Sequence, residues 1–238
     1  PAGSFTMGSS DAGTESTPAH TVTFAKGYLI GKYEVTAAQY EACQSASPGT
    51  CTLPSTTDWN GLSWNTNTSE RGRSNHPQNG LTWEQLGAVC TWLGGRRPSE
   101  AEWEYAATGP THRQYPWGDS PTPDCTHAVF DSDGSGSRPW GCDSCTITGC
   151  SGTKTVGSMP AGASWSGALD MAGNVWEWVE DWWHSDYSGA PTDGSAWVTP
   201  TGALRVLRGG SFIHEGARLR SSYRYYASPS FRYAHFGG

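Results

Sequence analysis

The residues able to do chemistry fall into a few groups. Seven cysteines are present: Cys43, Cys51, Cys90, Cys125, Cys142, Cys145 and Cys150. Cys142-x-x-Cys145, with Cys150 close behind and Cys125 upstream, begins a zinc-ligand pattern, but zinc wants two paired ligand sets and the second is incomplete. Disulfides need only an oxidising compartment, and the Gly/Thr/Ser/Trp-rich composition fits secretion. Disulfides are therefore the leading reading, with zinc and free thiols behind. Cys43 and Cys51 flank a helix end and a Pro-Gly turn and are the easiest pair to close. An odd total leaves one cysteine over, and Cys90 is the natural orphan. Among the histidines (His20, His76, His112, His127, His184, His214 and His235) no two share an HxH or HxxxH spacing. His214-Glu215 has the types of an acid/base pair. Adjacent side chains rarely converge on one point, so two solvent-facing polar groups are expected. Ser211 follows a Gly-Gly turn without a His/Asp partner set, and reads as a structural hydroxyl satisfied by backbone.

The elements that must position these residues are sparse. Charged residues make up 16% of the 238, while Gly (31), Pro (15) and Trp (13) are abundant, which describes a loop-rich, aromatic-packed globule. No stretch reads as a linker, so residues 1–238 are taken as one domain. No apolar run approaches the roughly 18 residues of a membrane-spanning helix. The abrupt start at Pro1 predicts a processed or trimmed N-terminus. Three capping boxes predict helices: Thr36 with Gln39, running to about Cys43; Thr82 with Gln85, stopping at Gly94-Gly95; and Ser99 with Glu102, ending near Ala107. In the second, Trp83, Leu86, Cys90 and Leu93 are placed on one face. Thr21–Phe24, Tyr28–Ile30 and Leu204–Leu207 read as strands. The span 109–167 has no periodic element, and such a segment is normally tied down by disulfides or metal ions. The class is α+β, with few short helices and strands and long ordered loops.

Motifs in this order, "PAGSFTMGS" (1–9), "KYEVTAAQYEAC" (32–43), "RRPSEAEWEYAA" (96–107), "YPWGD" (115–119), "DMAGNVWEWVEDWW" (170–183) and "RVLRGGSF" (205–212), resemble the formylglycine-generating enzyme (sulfatase-modifying factor) family over essentially the whole chain. The resemblance implies a C-type-lectin-like fold with low regular structure, calcium sites and disulfides. It also implies that Cys90 pairs with a cysteine in a C-terminal "GFRC" motif, which the ending "HFGG" cuts off. It implies a calcium site of Asp170, the carbonyls of Gly173 and Val175, and Glu177; hard oxygens suit Ca²⁺, which would act structurally. At the family's other calcium site Val129 stands where an asparagine is needed, with Asp131 or Asp133 as substitutes. The family's oxidases hold Cu(I) with two thiolates just after "GGS". This chain has no cysteine beyond Cys150, and Ile213, His214, Arg218 and Leu219 occupy those places. Soft Cu(I) depends on thiolate ligands, so no copper is expected. The sulfoxide-synthase members need an additional helical domain with histidines, for which there is no room.

The C-terminal segment decides among the remaining classes. Arg205, Arg208, Arg218, Arg220, Arg224 and Arg232 fall there, opposed within the segment only by Glu215, in a chain of net charge −7. Arg and Tyr together are the composition of binding hot spots. The same mixture suits single-stranded nucleic acid, but the acidic whole argues against that partner. The spacing also resembles the variable region of diversity-generating-retroelement target proteins. That resemblance makes Arg208, Gly209, Gly210, Ser211, Leu219, Arg220, Ser221, Arg224, Pro229 and Arg232 framework. It makes Ile213, His214, Tyr223, Tyr225, Tyr226, Ala227, Phe231, Tyr233, Ala234 and His235 ligand contacts. Trp176, Trp178, Trp182 and Trp183 are read as packing. The expectation is a secreted, cell-surface or periplasmic domain that binds a protein or glycan and performs no reaction. The alternatives are a formylglycine-generating-type oxidase with an atypical site, and a structural module of a larger surface protein.

Overall fold

A computed structural model describes residues 1–54, 66–131 and 152–238. Three helices, α1 (Ala37–Ala46), α2 (Trp83–Trp92) and α3 (Glu100–Thr108), each start at a complete capping box on Thr36, Thr82 and Ser99. The side-chain oxygen takes one orphan N–H of the first turn, and the Gln or Glu three residues on takes another. Strands β1 (Gly3–Met7) and β2 (His20–Phe24) form an antiparallel pair in the register Gly3↔Phe24 to Met7↔His20. Alternation sends Phe5, Met7, Val22 and Phe24 inward onto Ala101 and Tyr105 of α3. The second sheet has the order β5-β4-β3-β6. Its strands are β3 (Trp176–Trp182), β4 (Arg205–Arg208), β5 (Tyr225–Ala227) and β6 (Phe236–Gly237). Only the β3–β6 contact is parallel.

The core lies where this sheet meets α1 and α2. Trp176 and Trp178 are fully buried among Tyr40, Leu81, Leu86, Leu207 and Phe236. An aromatic ring of this size removes about 150–250 Å² from water, worth ~4–6 kcal/mol at about 25 cal/mol per Å². A second cluster packs Trp103, Ala106 and Ala107 of α3 against Met171, Val179 and Val206. The Cys43–Cys51 disulfide ties the end of α1 to the following loop. Cys125 is also disulfide-bonded, while Cys142, Cys145 and Cys150 lie outside the described residues. Cys90 is a half-buried free thiol. It lines a cavity of about 420 Å³ together with Tyr28, Glu34, Glu177 and Gly238.

Two expectations about elements need correction. Tyr28–Ile30 forms no strand; Leu29 is fully exposed while Tyr28 packs on Phe24 and donates its hydroxyl to the Glu102 carbonyl. The alternation is real, but side chains rather than a ladder hold the segment. On α2 the buried positions are Leu86 and Val89, and Leu93 at the C-cap is exposed. Within 109–167 the described residues hold short 3₁₀ turns, at Gly109–Thr111 and Pro160–Gly162, and the isolated bridges Tyr115↔Gly118 and Val129↔Gly173. No helix among the described residues is long and apolar enough to cross a membrane.

Candidate functional site

The framework beneath the C-terminal segment is a buried ion-pair network. Arg208, at the end of β4, has no exposed side-chain surface. It reaches both Glu100 and Glu104 on α3 and donates to the carbonyls of Ser221 and Ser222. Arg224 closes on Glu100 from the other side with Nε–Oε1 at 2.7 Å and Nη2–Oε2 at 2.9 Å. Burial alone would raise the Glu100 carboxyl, but Arg224 and Arg208 more than offset it and hold it below its ordinary value. At Glu104, burial is only partly offset by Arg208, and the carboxyl is pushed up. Arg205 lies between the rings of Trp83 and Trp182, 3.8 and 3.2 Å from their centroids, and donates to the Glu180 carbonyl. Two of the six C-terminal arginines, Arg208 and Arg224, thus find counter-charges in α3, and with Arg205 they are buried. Half of the expected basic surface is consumed by the fold.

Glycine spacing sets the turn that follows. Gly209 and Gly210 have φ of +93° and +77°, a region closed to most side chains. A Cβ on Gly210 would sit 2.6 Å from Leu219 Cδ2. After the turn, Ser211 is fully buried and its Oγ lies 2.6 Å from Nδ1 of His214. The Trp176 indole N–H donates to the same nitrogen at 3.2 Å. Indole only donates, so Nδ1 accepts and the neutral ring carries its proton on Nε2. Burial, reinforced by the Arg218 charge, lowers His214 to about 4. Burial with His214 alongside lowers His235 to about 3. Both rings are neutral near pH 7.

His214 is therefore half-buried and latched, not solvent-facing as the sequence suggested; only Glu215 of that pair is exposed. Ser211 is held by this imidazole side chain rather than by backbone. The pair resembles a nucleophile and base in type, but Ser211 is closed to any incoming acyl group, and a base near 4 activates weakly. The contact instead fixes the orientation of His214.

Around this latch the rings run without a break. Phe231 lies 6.3 Å from Tyr233, Tyr233 stacks on His235 at 5.2 Å, and His235 meets His214 edge-on at 5.4 Å. Trp176 follows at 5.3 Å, then Tyr223 at 6.1 Å and Tyr225 at 5.2 Å from Trp176, and Tyr226 at 5.8 Å from Tyr225. Ile213 and Ala234 are half-buried partners of a small cluster of Val129, Met159 and Phe212. Nine of the ten candidate contacts are at least partly exposed, led by Tyr226 at 43%. Ala227 is the exception. It is 7% exposed and packs in the main core, because inward alternation on β5 sends it under the sheet. Trp176 was read only as packing; it is the platform on which His214, Tyr223 and Tyr225 rest. The available signal was its place three residues after Gly173 in the "DMAGNVWEW" motif.

The implied calcium ligands are also placed. Asp170 is buried with φ of +64° and accepts from the Gly157 N–H. Burial raises it to about 6. Glu177 accepts from Trp103 Nε1 at 2.7 Å, and burial, with Asp170 nearby, raises it to about 8. The neighbouring Glu34 is held by Asn174 Nδ2 at 2.6 Å and the Val175 N–H at 3.1 Å. Among the described residues no group of three His, Cys, Asp or Glu side chains is arranged around a metal. A site of two carboxylates completed by the Gly173 and Val175 carbonyls is compatible with that, and buried, uncompensated carboxylates suit a hard divalent cation by type. Val129 is buried in the small apolar cluster, Asp131 is buried nearby, and Asp133 lies outside the described residues.

Comparison with known proteins bears on the family and the fold. Residues 1–237 match the sulfatase-modifying factor enzyme 1-like domain. The formylglycine-generating enzyme of Thermomonospora curvata is 35% identical over 173 residues, 69% of this chain and 55% of that enzyme. The chain thus spans about half that relative's length. PvdO from Pseudomonas aeruginosa superposes with a TM-score of 0.79 at 29% identity, over 100% of this chain and 90% of that one. Treponema denticola variable protein 1 shares the fold, with a TM-score of 0.68 at 23% identity over 99% of this chain and 92% of its own. The chain belongs to the sulfatase-modifying factor (formylglycine-generating enzyme) family, with its C-type-lectin-like fold.

Proposed function

We propose that this domain is a non-catalytic receptor of the variable-protein type, whose C-terminal aromatic face binds a partner outside the cell, at its surface or in the periplasm. The observation that carries the reading is the sorting of the C-terminal residues. Arg208, Arg224, Gly209, Gly210 and Ser211 are consumed by the scaffold, while Tyr223, Tyr225, Tyr226, Phe231, Tyr233, His214 and His235 form one continuous ring surface. Rigid aromatics give contact area at low entropic cost. No cysteine follows Cys150, so no thiolate pair stands after "GGS" for soft copper. A Ca²⁺ held by Asp170, Glu177 and the carbonyls of Gly173 and Val175 would brace the loop leading into β3.

The test compares wild type with Tyr223→Ser/Tyr225→Ser on protein and glycan arrays, alongside copper content and oxygen uptake with a cysteine peptide. Array binding lost in the double variant, with no oxygen uptake, is expected. Copper-dependent oxygen uptake that converts the cysteine peptide overturns the reading in favour of an oxidase.

A further inference from the structure

The six C-terminal arginines differ in what satisfies them. Arg208 and Arg224 are closed by Glu100 and Glu104. Arg205 is held by two indole faces and a carbonyl, and Arg220 donates Nη1 to the Asp11 carbonyl. Arg218 and Arg232 have no carboxylate partner among the described residues. Arg218 donates Nη1 to the neutral Tyr223 hydroxyl at 3.2 Å, with its guanidinium 5.7 Å from that ring. Arg232 sits in sequence between Phe231 and Tyr233, half-buried, and its Nε is out of water without a hydrogen-bond partner. Arg205, Arg208 and Arg220 also have a bare Nε, but their other nitrogens are anchored.

Arg218 lies beside Tyr223 of the ring series, and Arg232 is adjacent in sequence to two other members, Phe231 and Tyr233. The histidines of the series are neutral. Guanidinium is planar, weakly hydrated and shaped for bidentate carboxylate contact, and it stacks readily beside aromatic rings. We propose that the face takes an acidic segment of a partner polypeptide, with carboxylates at Arg218 and Arg232 and intervening residues laid on Tyr223, His214, His235 and Tyr233. This rests on the receptor reading above. A polypeptide suits the charge distribution better than a polyanionic glycan. The chain as a whole carries −7, which repels a uniformly charged polymer at long range, whereas a short segment needs only two local contacts.

The experiment measures anisotropy of a short fluorescent Glu–Tyr copolymer of peptide length against the domain, with a Lys–Tyr copolymer of the same length and a uronate polymer in parallel. The expected result is binding of the Glu–Tyr copolymer alone, weakened by salt. Arg218→Gln and Arg232→Gln should each reduce affinity about tenfold, as for loss of one charge-assisted contact. Arg218→Glu should transfer binding to the Lys–Tyr copolymer, and Arg232→Met keeps the aliphatic stem should the Gln variant melt early. Absence of Glu–Tyr binding, or equal binding of the Lys–Tyr copolymer, overturns the inference. Uronate binding as tight as Glu–Tyr binding overturns the choice of a polypeptide. Loss of binding in Tyr223→Ser with none in the arginine variants overturns the carboxylate contacts while leaving the receptor reading intact.

Discussion

Replacing Arg208 by Met should be the most damaging single change near the candidate face. Its guanidinium joins Glu100 and Glu104 to the carbonyls of Ser221 and Ser222, all without exposed side-chain surface at the arginine. Removing one partner of a buried pair costs about 3–5 kcal/mol, because the other charge is left in low dielectric. Two carbonyls lose donors worth about 1 kcal/mol each. Two features limit the loss. Glu100 keeps Arg224, and the Glu104 carboxyl, already pushed up by burial, can take a proton. The net expectation is about 3–5 kcal/mol, a large share of the ~5–15 kcal/mol that stabilises a typical domain. At ~2–4 °C per kcal/mol for a chain of this size, the melting temperature falls by about 6–20 °C. Urea titration followed by tryptophan fluorescence reads the free energy, and hydrogen exchange at Ser221–Tyr223 reads the loosened loop. Adding Glu104→Leu should recover at least ~1 kcal/mol, since a buried pair can be exchanged for apolar groups more cheaply than it can be broken. A loss under about 1 kcal/mol for Arg208→Met, with an unchanged denaturant slope, would refute the network's role.

Three further outcomes are expected. Calcium at about a hundredfold its dissociation constant should stabilise the wild type by ~2.7 kcal/mol and leave Asp170→Asn unmoved; a melting temperature indifferent to calcium and EGTA sinks the proposed site. His214 and His235 are lowered from 6.5 to about 4 and about 3, so below pH ~6.5 the unfolded chain binds protons that the folded one refuses. Their contribution is full above that pH and is lost as pH falls toward 4, and His235→Phe should flatten the decline; equal pH slopes contradict it. Gly210→Ala places a Cβ 2.6 Å from Leu219 Cδ2 at φ +77° and should cost about 1–3 kcal/mol by denaturation, against which a change below ~0.5 would count.

The parts of this fold legible in the sequence are those written locally. Thr36 with Gln39, Thr82 with Gln85 and Ser99 with Glu102 mark helix starts because the cap is satisfied within one turn. Cys43–Cys51 follows from short spacing and a turn. β3 was hidden because "WEWVEDW" lacks period-two alternation; its register shifts between Trp178 and Trp182, and both of its faces are largely covered. β6 is two residues long and forms only by lying parallel to a strand some sixty positions earlier. The counter-charges of Arg208 and Arg224 were equally out of sight. Glu100 and Glu104 lie one helical turn apart on α3, more than a hundred residues upstream, and their pairing comes from tertiary packing rather than local pattern. The motif order, which the family resemblance uses, conveyed what local rules could not.

The division between scaffold and face has an energetic consequence. The terms that hold the C-terminal segment in place sit in the interior: the Arg208 and Arg224 contacts, the Gly209-Gly210 turn, and Trp176 with its indole N–H on His214. Each is worth a kilocalorie or more and none is a ring at the surface. Tyr223, Tyr225, Phe231 and Tyr233 also pack, half-buried, against the main core, whereas the exposed Tyr226 makes only edge and stacking contacts, of order 0.5–1.5 kcal/mol each. Tyr226 is 43% exposed and its nearest ring contact, Trp183 at 4.5 Å, is already stacked by Arg224 at 4.5 Å. Tyr226→Ser should therefore cost under about 1 kcal/mol of stability. A segment built this way can change its contacts without losing its shape, which is the physical requirement for a surface that presents different side chains on one fold. If Tyr226→Ser or Tyr225→Ser instead destabilises as strongly as Arg208→Met, the rings belong to the core and the face is not free to vary.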